Sequence, residues 1–440
     1  MPELAPEARR PPHDRAAPVP QSGLAPALLP PPEPPSADAR EAYLPLEERK
    51  GVALCLSGGG YRAALFHLGA VRRLNEMGAL GKLDTITSVS GGSILAAHLV
   101  AAMGPSWPAP GEVFANFDER VAGPFKRDVC GKDIRTWPLL TGLLPWNVLR
   151  GSRAVAELER QYTRRLTRLE LSRLPEHPRF VFCATDMSYG VNWTFTREEV
   201  GSYMAGYVPT PAGWRVARAV AASSCFPPFF NPQPINLAPS DLQGGRDPSG
   251  DERDERVASL RLSDGGLYDN MGLEPVWKSH AVILASEGGS TFDAGPDRGL
   301  FWRLNRYVEV MGRQGGAQRR RWLISNFIEG RLRGTYWGIG TDIASYDIGA
   351  SGYPPDLVKR VIAEMRTDLD RFSEPERSVL ENHGYLLTDA AIRRYAPFLA
   401  EENTAPPIAP NRVWMDPDAV AWELRESHKR RVPFGRGWPF

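Results

Sequence analysis

The chain has 440 residues, of which 42% are hydrophobic and 24% charged, and its formal net charge is +1. These proportions are close to those of an average soluble globular protein. The near-zero net charge produces no global field, so it does not indicate nucleic acid or an anionic surface as a partner. The length exceeds what one minimal domain needs and predicts one large elaborated domain or two smaller ones.

Cysteine usage and the amino terminus indicate a reducing compartment. The four cysteines form no C-x-x-C pair and no metal-ligand framework, and we therefore expect neither a metal nor a cofactor. The first residues lack the apolar segment of a signal peptide, and no apolar run reaches the roughly 18 residues of a membrane span. We expect a cytoplasmic protein, with peripheral membrane contact as an open alternative.

The composition changes along the chain and suggests four parts. Residues 1–45 are rich in Pro, Ala and charge, and they cannot bury enough apolar area to offset the entropy cost of ordering. We therefore predict a disordered tail there. The domain boundaries expected after it are a catalytic core over 46–290, a helix-rich extension packed on that core over 291–400, and a terminal tail over 401–440.

The first elements of the core alternate between strand and helix. An apolar run ending in glycines (51–60) predicts a strand, and apolar residues at three- and four-residue spacing predict a helix over 61–80. A second strand is predicted over 84–90 and a buried helix over 91–104. Strand, helix, strand and helix with short links predict parallel βαβ units. The fold class expected is α/β, a three-layer α/β/α sandwich around a mostly parallel sheet, with a helical C-terminal extension.

The remaining elements follow in a less regular order. We predict two strands over 179–190 and 192–200, a helix over 213–224, and strands over 258–270 and 279–289. Helical segments dominate the prediction from about 298 to 400.

The second predicted strand ends in a turn of small residues, Ser88-Val89-Ser90-Gly91-Gly92. A nucleophile elbow needs small residues on both sides of its serine because the strand turns sharply into a helix. Ser90 fits that position, with Ser88 and Gly92 as the small neighbours. The alternative is that Ser90 only caps the helix that follows. The local pattern alone leaves both readings open.

A glycine run, Gly58-Gly59-Gly60, follows the first strand and precedes Arg62. Free backbone N–H groups in such a run can bind an anion, either a phosphate or the oxyanion of a tetrahedral intermediate. A P-loop is excluded because no G-K-[ST] follows. A dinucleotide site is disfavoured because no acidic residue stands clearly at the end of the second strand.

Asp264, followed by Gly265 and Gly266, ends a predicted strand and could face a crevice at the edge of the sheet. The alternative is an ordinary Asp-Gly turn. No histidine lies in a loop after a final core strand, where a triad histidine belongs. A carboxylate can still act directly as the general base of a serine. A Ser–His–Asp esterase of the α/β-hydrolase type is the competing hypothesis.

Four ordered motifs resemble the patatin-like phospholipase family over roughly residues 50–290: VALCLSGGGYRAALFHLGAV, ITSVSGGS, RAVAASSCFPPFF and LSDGGLYDN. The resemblance implies a Ser–Asp dyad, with Ser90 as nucleophile and Asp264 as general base. It also implies an oxyanion hole around Gly58, Gly59 and Gly60, with Arg62 as the basic residue after the glycines. The implied reaction is metal-free hydrolysis of acyl esters in phospholipids or lysophospholipids through an acyl-enzyme.

The same resemblance has two departures and one non-enzymatic alternative. Ser88 stands where the family has the first glycine of the elbow, and Ala63 follows Arg62. Both residues are small, so the turns are expected to survive. The alternative is a catalytically silent protein of the same fold that binds a partner.

Three further stretches have a structural and a functional interpretation. The apolar stretch 136–149, with Leu143, Leu144 and Trp146, is either a loop packed on the core or a lipid-contact surface. The basic cluster 313–322 is either a solvated helix face or a contact for anionic headgroups. The basic tail 425–431 has the same two interpretations, and neither basic stretch has the module signature of a nucleic-acid-binding protein. The expected partner is therefore an acyl-ester lipid, and the sequence indicates no oligomeric state.

Overall fold

The computed structural model describes residues 48–143, 153–227, 230–289, 299–432 and 435–438. Its strands are β1 (Val52–Leu56), β2 (Thr85–Val89), β3 (Arg179–Asp186), β4 (Val191–Phe195), β5 (Glu199–Ser202), β6 (Gly206–Pro209), β7 (Gln233–Pro234), β8 (Arg261–Asp264), β9 (Val282–Glu287), β10 (Arg333–Gly338), β11 (Arg430–Val432) and β12 (Gly435–Trp438). Its α-helices are α1 (Gly60–Glu76), α2 (Gly91–Met103), α3 (Thr136–Leu143), α4 (Arg153–Arg165), α5 (Val216–Ser224), α6 (Asp251–Ala258), α7 (Gly266–Asp269), α8 (Leu300–Ile328), α9 (Pro355–Leu357), α10 (Glu374–Tyr395) and α11 (Pro417–Leu424).

One large sheet contains the strands β1 to β10. Its main path runs β10–β9–β1–β2–β3–β4–β5–β6, while β8 pairs with β3 and β7 pairs with β8. The strands from β10, at one edge, to β3 are parallel to one another, and the strands beyond β3 pair antiparallel. Parallel neighbours require helical crossovers, which the predicted βαβ units supply. The predicted α/β fold is therefore confirmed.

Strand β1 shows why the sheet is covered on both faces. Leu54 and Leu56 belong to the large apolar core formed with α1, α2 and α10. Ala53 and Cys55 point to the opposite face and belong to a second core with Leu323 of α8. Because successive side chains of a strand alternate between faces, an apolar residue at every position requires helices on both sides. This arrangement is the predicted three-layer sandwich.

Helices α1 and α10 touch backbone to backbone. A methyl group at Gly69 would lie 1.9 Å from the carbonyl oxygen of Glu381, and one at Gly384 would lie 1.9 Å from that of Phe66. Arg72 forms an ion pair with Glu381 beside this contact, at 2.8 Å. Glycine on both helices is therefore what allows α10 to pack so closely on α1.

The region predicted to be helical after residue 298 also contains a strand. β10 pairs in parallel with β9 and extends the sheet. Its sequence, RGTYWG, is rich in β-formers but only six residues long, so the helical periodicity on either side obscured it. Hairpin strands β5 and β6 and helix α6 were likewise not predicted. The domain boundary at residue 290 remains a prediction, and the predicted tail over 1–45 lies outside the described residues.

No helix in the described part of the chain is long and apolar enough to cross a bilayer.

Candidate active site

Strand β3 brings Ser90 and Asp264 together. On one edge it pairs with β2 as far as Cys183, whose partner is Val89. From the next residue, Ala184, the same edge pairs with β8, and the partner of Ala184 is Asp264. Ser90 follows Val89 directly, so the ends of β2 and β8 meet on the same edge of β3. The two residues that the motifs singled out thus meet at the point where the parallel strand ends.

Ser90 lies on a strained turn between β2 and α2. Its backbone angles are φ 48° and ψ −112°, unfavourable for a residue with a side chain. Its side chain makes no capping hydrogen bond to α2, so the helix-cap alternative lacks its defining contact. A methyl group at Gly91 would lie 2.1 Å from the carbonyl oxygen of Gly60, and one at Gly92 would lie 2.2 Å from that of Leu56. The turn therefore closes only because small residues follow Ser90.

A buried serine, Ser223 at the end of α5, supports this turn from below. The Ser90 amide donates to the Ser223 hydroxyl at 2.9 Å, and that hydroxyl donates to the Cys183 carbonyl at 2.6 Å. The Ser223 carbonyl accepts from the amide of Gly265, at 3.3 Å. Ser223 thus joins the two turns that carry Ser90 and Asp264. Sequence reasoning did not single it out, although it lies in the quoted motif RAVAASSCFPPFF.

Ser88 occupies the small position before the elbow. It is buried, and its hydroxyl lies 3.4 Å from the Val181 carbonyl oxygen and accepts from Ser93 at 3.1 Å. The Ser93 hydroxyl lies 2.9 Å from that of Ser223. A serine in place of glycine is therefore accommodated by a hydroxyl network beneath Ser90.

Asp264 is a buried carboxyl group held in a fixed orientation. It is 2% exposed, and its Oδ1 accepts from the Gly266 amide at 2.8 Å. Burial raises its pKa to about 7, while hydrogen bonds from the Gly266 amide and the Ser90 hydroxyl oppose that rise. A methyl group at Gly265 would lie 2.5 Å from the Cys183 carbonyl oxygen, which explains the glycine there. A carboxyl with a pKa near neutrality suits a general base.

The glycine run lies directly against the elbow. A methyl group at Gly58 would be only 3.3 Å from the Ser90 Cβ atom. The Gly58 amide donates to the Asn270 carbonyl at 3.0 Å, so this amide is already used. Gly59 and Gly60 have φ values of 138° and 58°, and their amides donate no hydrogen bond to any residue in the described ranges. The two amides of Gly59 and Gly60 are therefore the donors that remain for an oxyanion.

Arg62 makes contacts that its sequence position did not predict. The residue is 2% exposed, and its guanidinium donates to the carbonyls of Gly288, at 3.2 Å, Ala363, at 3.2 Å, and Met365, at 2.6 Å. Burial lowers its pKa to about 10. These contacts tie the glycine run to two distant segments, so in the structure Arg62 positions the backbone rather than presenting a free charge.

Asp368 buttresses the same loop from the C-terminal part of the chain. Its carbonyl accepts from the Tyr61 amide at 2.9 Å, and a methyl group at Gly60 would lie 2.6 Å from that carbonyl oxygen. Its carboxylate pairs with Arg135, just before α3. The glycine run is therefore shaped by residues about 300 positions away in the sequence.

No histidine in the described ranges hydrogen-bonds to Ser90 or Asp264. Each histidine of the core has a partner elsewhere: His67 bonds to Ser286 and Ser57, His98 to Val121, His280 to Thr85 and Ser279, and His383 to Ile339. Burial lowers the pKa of His67 and of His383 to about 4, so both are neutral packing residues. The described residues also contain no group of His, Cys, Asp or Glu arranged to hold a metal.

Comparison with protein families decides the classification. The model of the patatin-like phospholipase family matches residues 54–277, about half of the chain. The chain belongs to the patatin-like phospholipase family. The matched segment contains every residue that the sequence motifs singled out for the site. A search of curated proteins finds no significant match.

Comparison with solved structures gives only distant matches. Human GIVD cytosolic phospholipase A2 is 13% identical, with a TM-score of 0.40, over 86% of this chain and 63% of that one. The same human enzyme in complex with methyl gamma-linolenyl fluorophosphonate and terbium chloride gives 13% identity and a TM-score of 0.45, over 80% of this chain and 58% of that one. VipD from Legionella pneumophila is 15% identical, with a TM-score of 0.31, over 79% of this chain and 67% of that one. The chain therefore spans about six-tenths of the length of the human enzyme.

Proposed function

We propose that this patatin-like phospholipase hydrolyses the carboxylic esters of phospholipids or lysophospholipids through Ser90 and Asp264. The observation that supports this most strongly is the end-to-end meeting of β2 and β8 on β3, which puts a buried carboxyl beside a serine on a strained turn. Family membership supports a lipid hydrolase activity. The assignment of the dyad rests on the geometry of the site.

The proposed mechanism has two halves joined by an acyl-enzyme. Asp264 accepts the proton of the Ser90 hydroxyl as its oxygen attacks the ester carbonyl. The amides of Gly59 and Gly60 stabilise the oxyanion that forms. When the intermediate collapses, the alcohol leaves with the proton from Asp264. Water then attacks the acyl-enzyme carbonyl and gives its proton to Asp264. As the bond between the carbonyl carbon and the Ser90 oxygen breaks, Asp264 returns that proton to the Ser90 oxygen and the free fatty acid leaves.

A Ser–His–Asp esterase is the less favoured alternative, because the core histidines are paired away from Ser90. A catalytically silent binding protein is the other alternative, and a chemical probe separates it from an enzyme. An alkyl fluorophosphonate reacts only with an activated serine. We expect it to label the purified full chain stoichiometrically, at the tryptic peptide containing Ser90, as read by mass spectrometry. Absence of labelling would favour the silent alternative.

We also propose that the chain contacts a lipid surface through α3. Two side chains on this helix, Trp137 and Leu140, are 61% and 50% exposed, while Leu139 packs against the core. The helix begins next to Arg135, whose ion pair with Asp368 places it beside the glycine run. Apolar side chains exposed near an active site suit contact with lipid. The rest of the predicted contact stretch, including Leu144 and Trp146, lies outside the described residues.

Replacing Trp137 and Leu140 with serine should lower hydrolysis of phospholipid vesicles roughly tenfold, because both apolar side chains are lost from the interface. Hydrolysis of a soluble short-chain ester should change little, since neither residue touches Ser90 or Asp264. Trp422→Ser serves as the matched control, because Trp422 is similarly exposed, on α11. Equal losses on vesicles and on the soluble ester would argue against a surface role.

A further inference from the structure

Asn270, directly after α7, places its carboxamide at the mouth of the candidate site. A methyl group at Gly58 would lie 2.3 Å from its Oδ1 atom, and one at Gly266 would lie 2.7 Å from the same atom. On the other side, a methyl group at Gly289 would lie 2.9 Å from its Nδ2 atom. Three loops thus use glycine where they meet this one side chain. The space is reserved for the carboxamide, which is half-buried.

The Asn270 carboxamide makes no hydrogen bond to any residue in the described ranges, although its backbone carbonyl accepts from Gly58. A half-buried amide beside a nucleophile normally finds a partner, because leaving its N–H groups unpaired costs free energy. Its Oδ1 atom lies against Gly58 and Gly266, next to the elbow, and its Nδ2 atom lies against Gly289. The N–H groups are therefore on the side of the carboxamide that faces Gly289.

Glu287, at the end of β9, supplies an acceptor on the other side of the same space. Its Oε2 atom accepts from the Tyr336 hydroxyl and from Arg320, the latter at 3.2 Å. These two partners fix the orientation of the carboxylate. Its Oε1 atom accepts no hydrogen bond from the described residues and lies 3.8 Å from the point where a Gly289 methyl group would stand. A donor that has no partner among the described residues and an acceptor whose carboxylate is held by Tyr336 and Arg320 thus flank Gly289.

We infer that Asn270 and Glu287 form a subsite for a free hydroxyl on the alcohol part of the ester. This inference rests on the proposed hydrolase function and narrows its substrate class to esters whose alcohol keeps a neighbouring hydroxyl, such as a lysophospholipid. The hydroxyl accepts from the Asn270 Nδ2 atom and donates to the Glu287 Oε1 atom. Because a hydroxyl is both donor and acceptor, it satisfies both groups at once.

Other ligand chemistries fit this pair less well. A phosphate would accept from Asn270 but would be repelled by the carboxylate of Glu287. An ammonium group would pair with Glu287 but has no lone pair to accept from Asn270. A fully acylated glycerol lacks the hydroxyl and would leave both groups unpaired. Loss of a hydrogen bond to a charged group is usually more costly than loss of a neutral one.

The test compares two soluble, monomeric substrates: hexanoyl lysophosphatidylcholine and the analogue that lacks the free glycerol hydroxyl. The wild-type chain should prefer the hydroxyl-bearing substrate by roughly tenfold to a hundredfold in kcat/KM. In Asn270→Ala and in Glu287→Gln this preference should fall to about one. Gln keeps an oxygen for Tyr336 and Arg320 but presents an N–H group where the hydroxyl's proton must go.

Hydrolysis of p-nitrophenyl butyrate, which has no such hydroxyl, reports whether each variant remains folded and catalytically competent. Its rate should stay within about threefold of wild type in both variants. Glu176→Gln, an exposed site remote in sequence from these loops, is the control and should keep the preference. A wild-type chain that cleaves p-nitrophenyl butyrate without preferring either lipid would overturn the subsite alone. A preference for the hydroxyl-bearing substrate that persists in Asn270→Ala or in Glu287→Gln would also overturn the subsite. Failure to cleave any ester would instead overturn the proposed function.

Discussion

Ester hydrolysis should fall on the order of 10⁴-fold or more in kcat/KM when Ser90 is replaced with alanine or Asp264 with asparagine. Ser90→Ala removes the atom that attacks the carbonyl. Asp264→Asn keeps the shape of the side chain and an acceptor for the Gly266 amide, but it cannot take a proton. Because the two residues act in one step, the double variant should lose little more than either single one.

The measurement is fatty-acid release from a lysophospholipid, with circular dichroism to verify the fold. Asp186→Asn is a matched control, because Asp186 is also a buried carboxyl at the end of a strand of the same sheet, and its pKa is also raised by burial. That control should keep most of its activity. A residual activity of Ser90→Ala near that of the wild type would place the nucleophile elsewhere.

Activity and stability should respond to pH in opposite directions, and both responses come from Asp264. The carboxylate form is the base, so kcat/KM should rise with pH through an apparent pKa near 7 and level off above it. A profile that rises near pH 4, the ordinary range of an aspartate, would mean that the group titrating in catalysis is not a buried Asp264.

The stability effect follows from linkage. The folded-state pKa of Asp264 is about 7 and its ordinary value is 3.8, so the folded chain holds this proton more tightly than the unfolded chain does. The contribution of the neutral group is fully present below about pH 4 and is lost as the pH rises through about 7. Above that pH the buried charge costs about 4 kcal/mol, taking about 1.4 kcal/mol for each pKa unit.

Asp264→Asn has no charge to bury, so its free energy of unfolding should exceed that of the wild type at pH 9. The difference should shrink on lowering the pH towards 4, as followed by urea denaturation at each pH. Asp264→Asn would then be inactive and more stable, the combination expected when a site is built at the expense of stability. A variant less stable than the wild type at pH 9 would contradict a costly charge at this position.

The order of the motifs was enough to predict the α/β sandwich and the family, because apolar runs, glycine turns and helical spacing are local signals. The elbow was readable for the same reason: Ser90 has small neighbours on both sides. The meeting of Ser90 and Asp264 was an expectation that depended on the resemblance. Its physical cause, a single strand pairing with β2 and then with β8, depends on register over about 80 residues of sequence separation.

Contacts made by side chains across long sequence distances could not be predicted. Ser223 reads as one of two adjacent serines at a helix end, and nothing local says which of them supports the elbow. The sequence position of Arg62 suggests a positive charge next to an anion-binding loop. In the structure its guanidinium donates hydrogen bonds to the carbonyls of residues 288, 363 and 365. Asn270 looks like the end of a glycine turn. Its position in the site becomes clear only in the structure, where glycines on three separate loops leave room for its side chain.

The buttressing of the glycine run by Asp368 has a consequence for how much of the polypeptide is needed. The segment that holds Asp368 is itself fixed near the end of the chain, because the buried Arg366 pairs with Asp370 and Glu376, and its amide donates to the carbonyl of Ser427 at 2.9 Å. The family model ends at residue 277. A gene trimmed to the recognised motifs would encode Ser90 and Asp264 but not the scaffold that shapes the loop beside them. Homologues should therefore be compared over the whole length of the chain before a homologue's substrate is assigned to this protein.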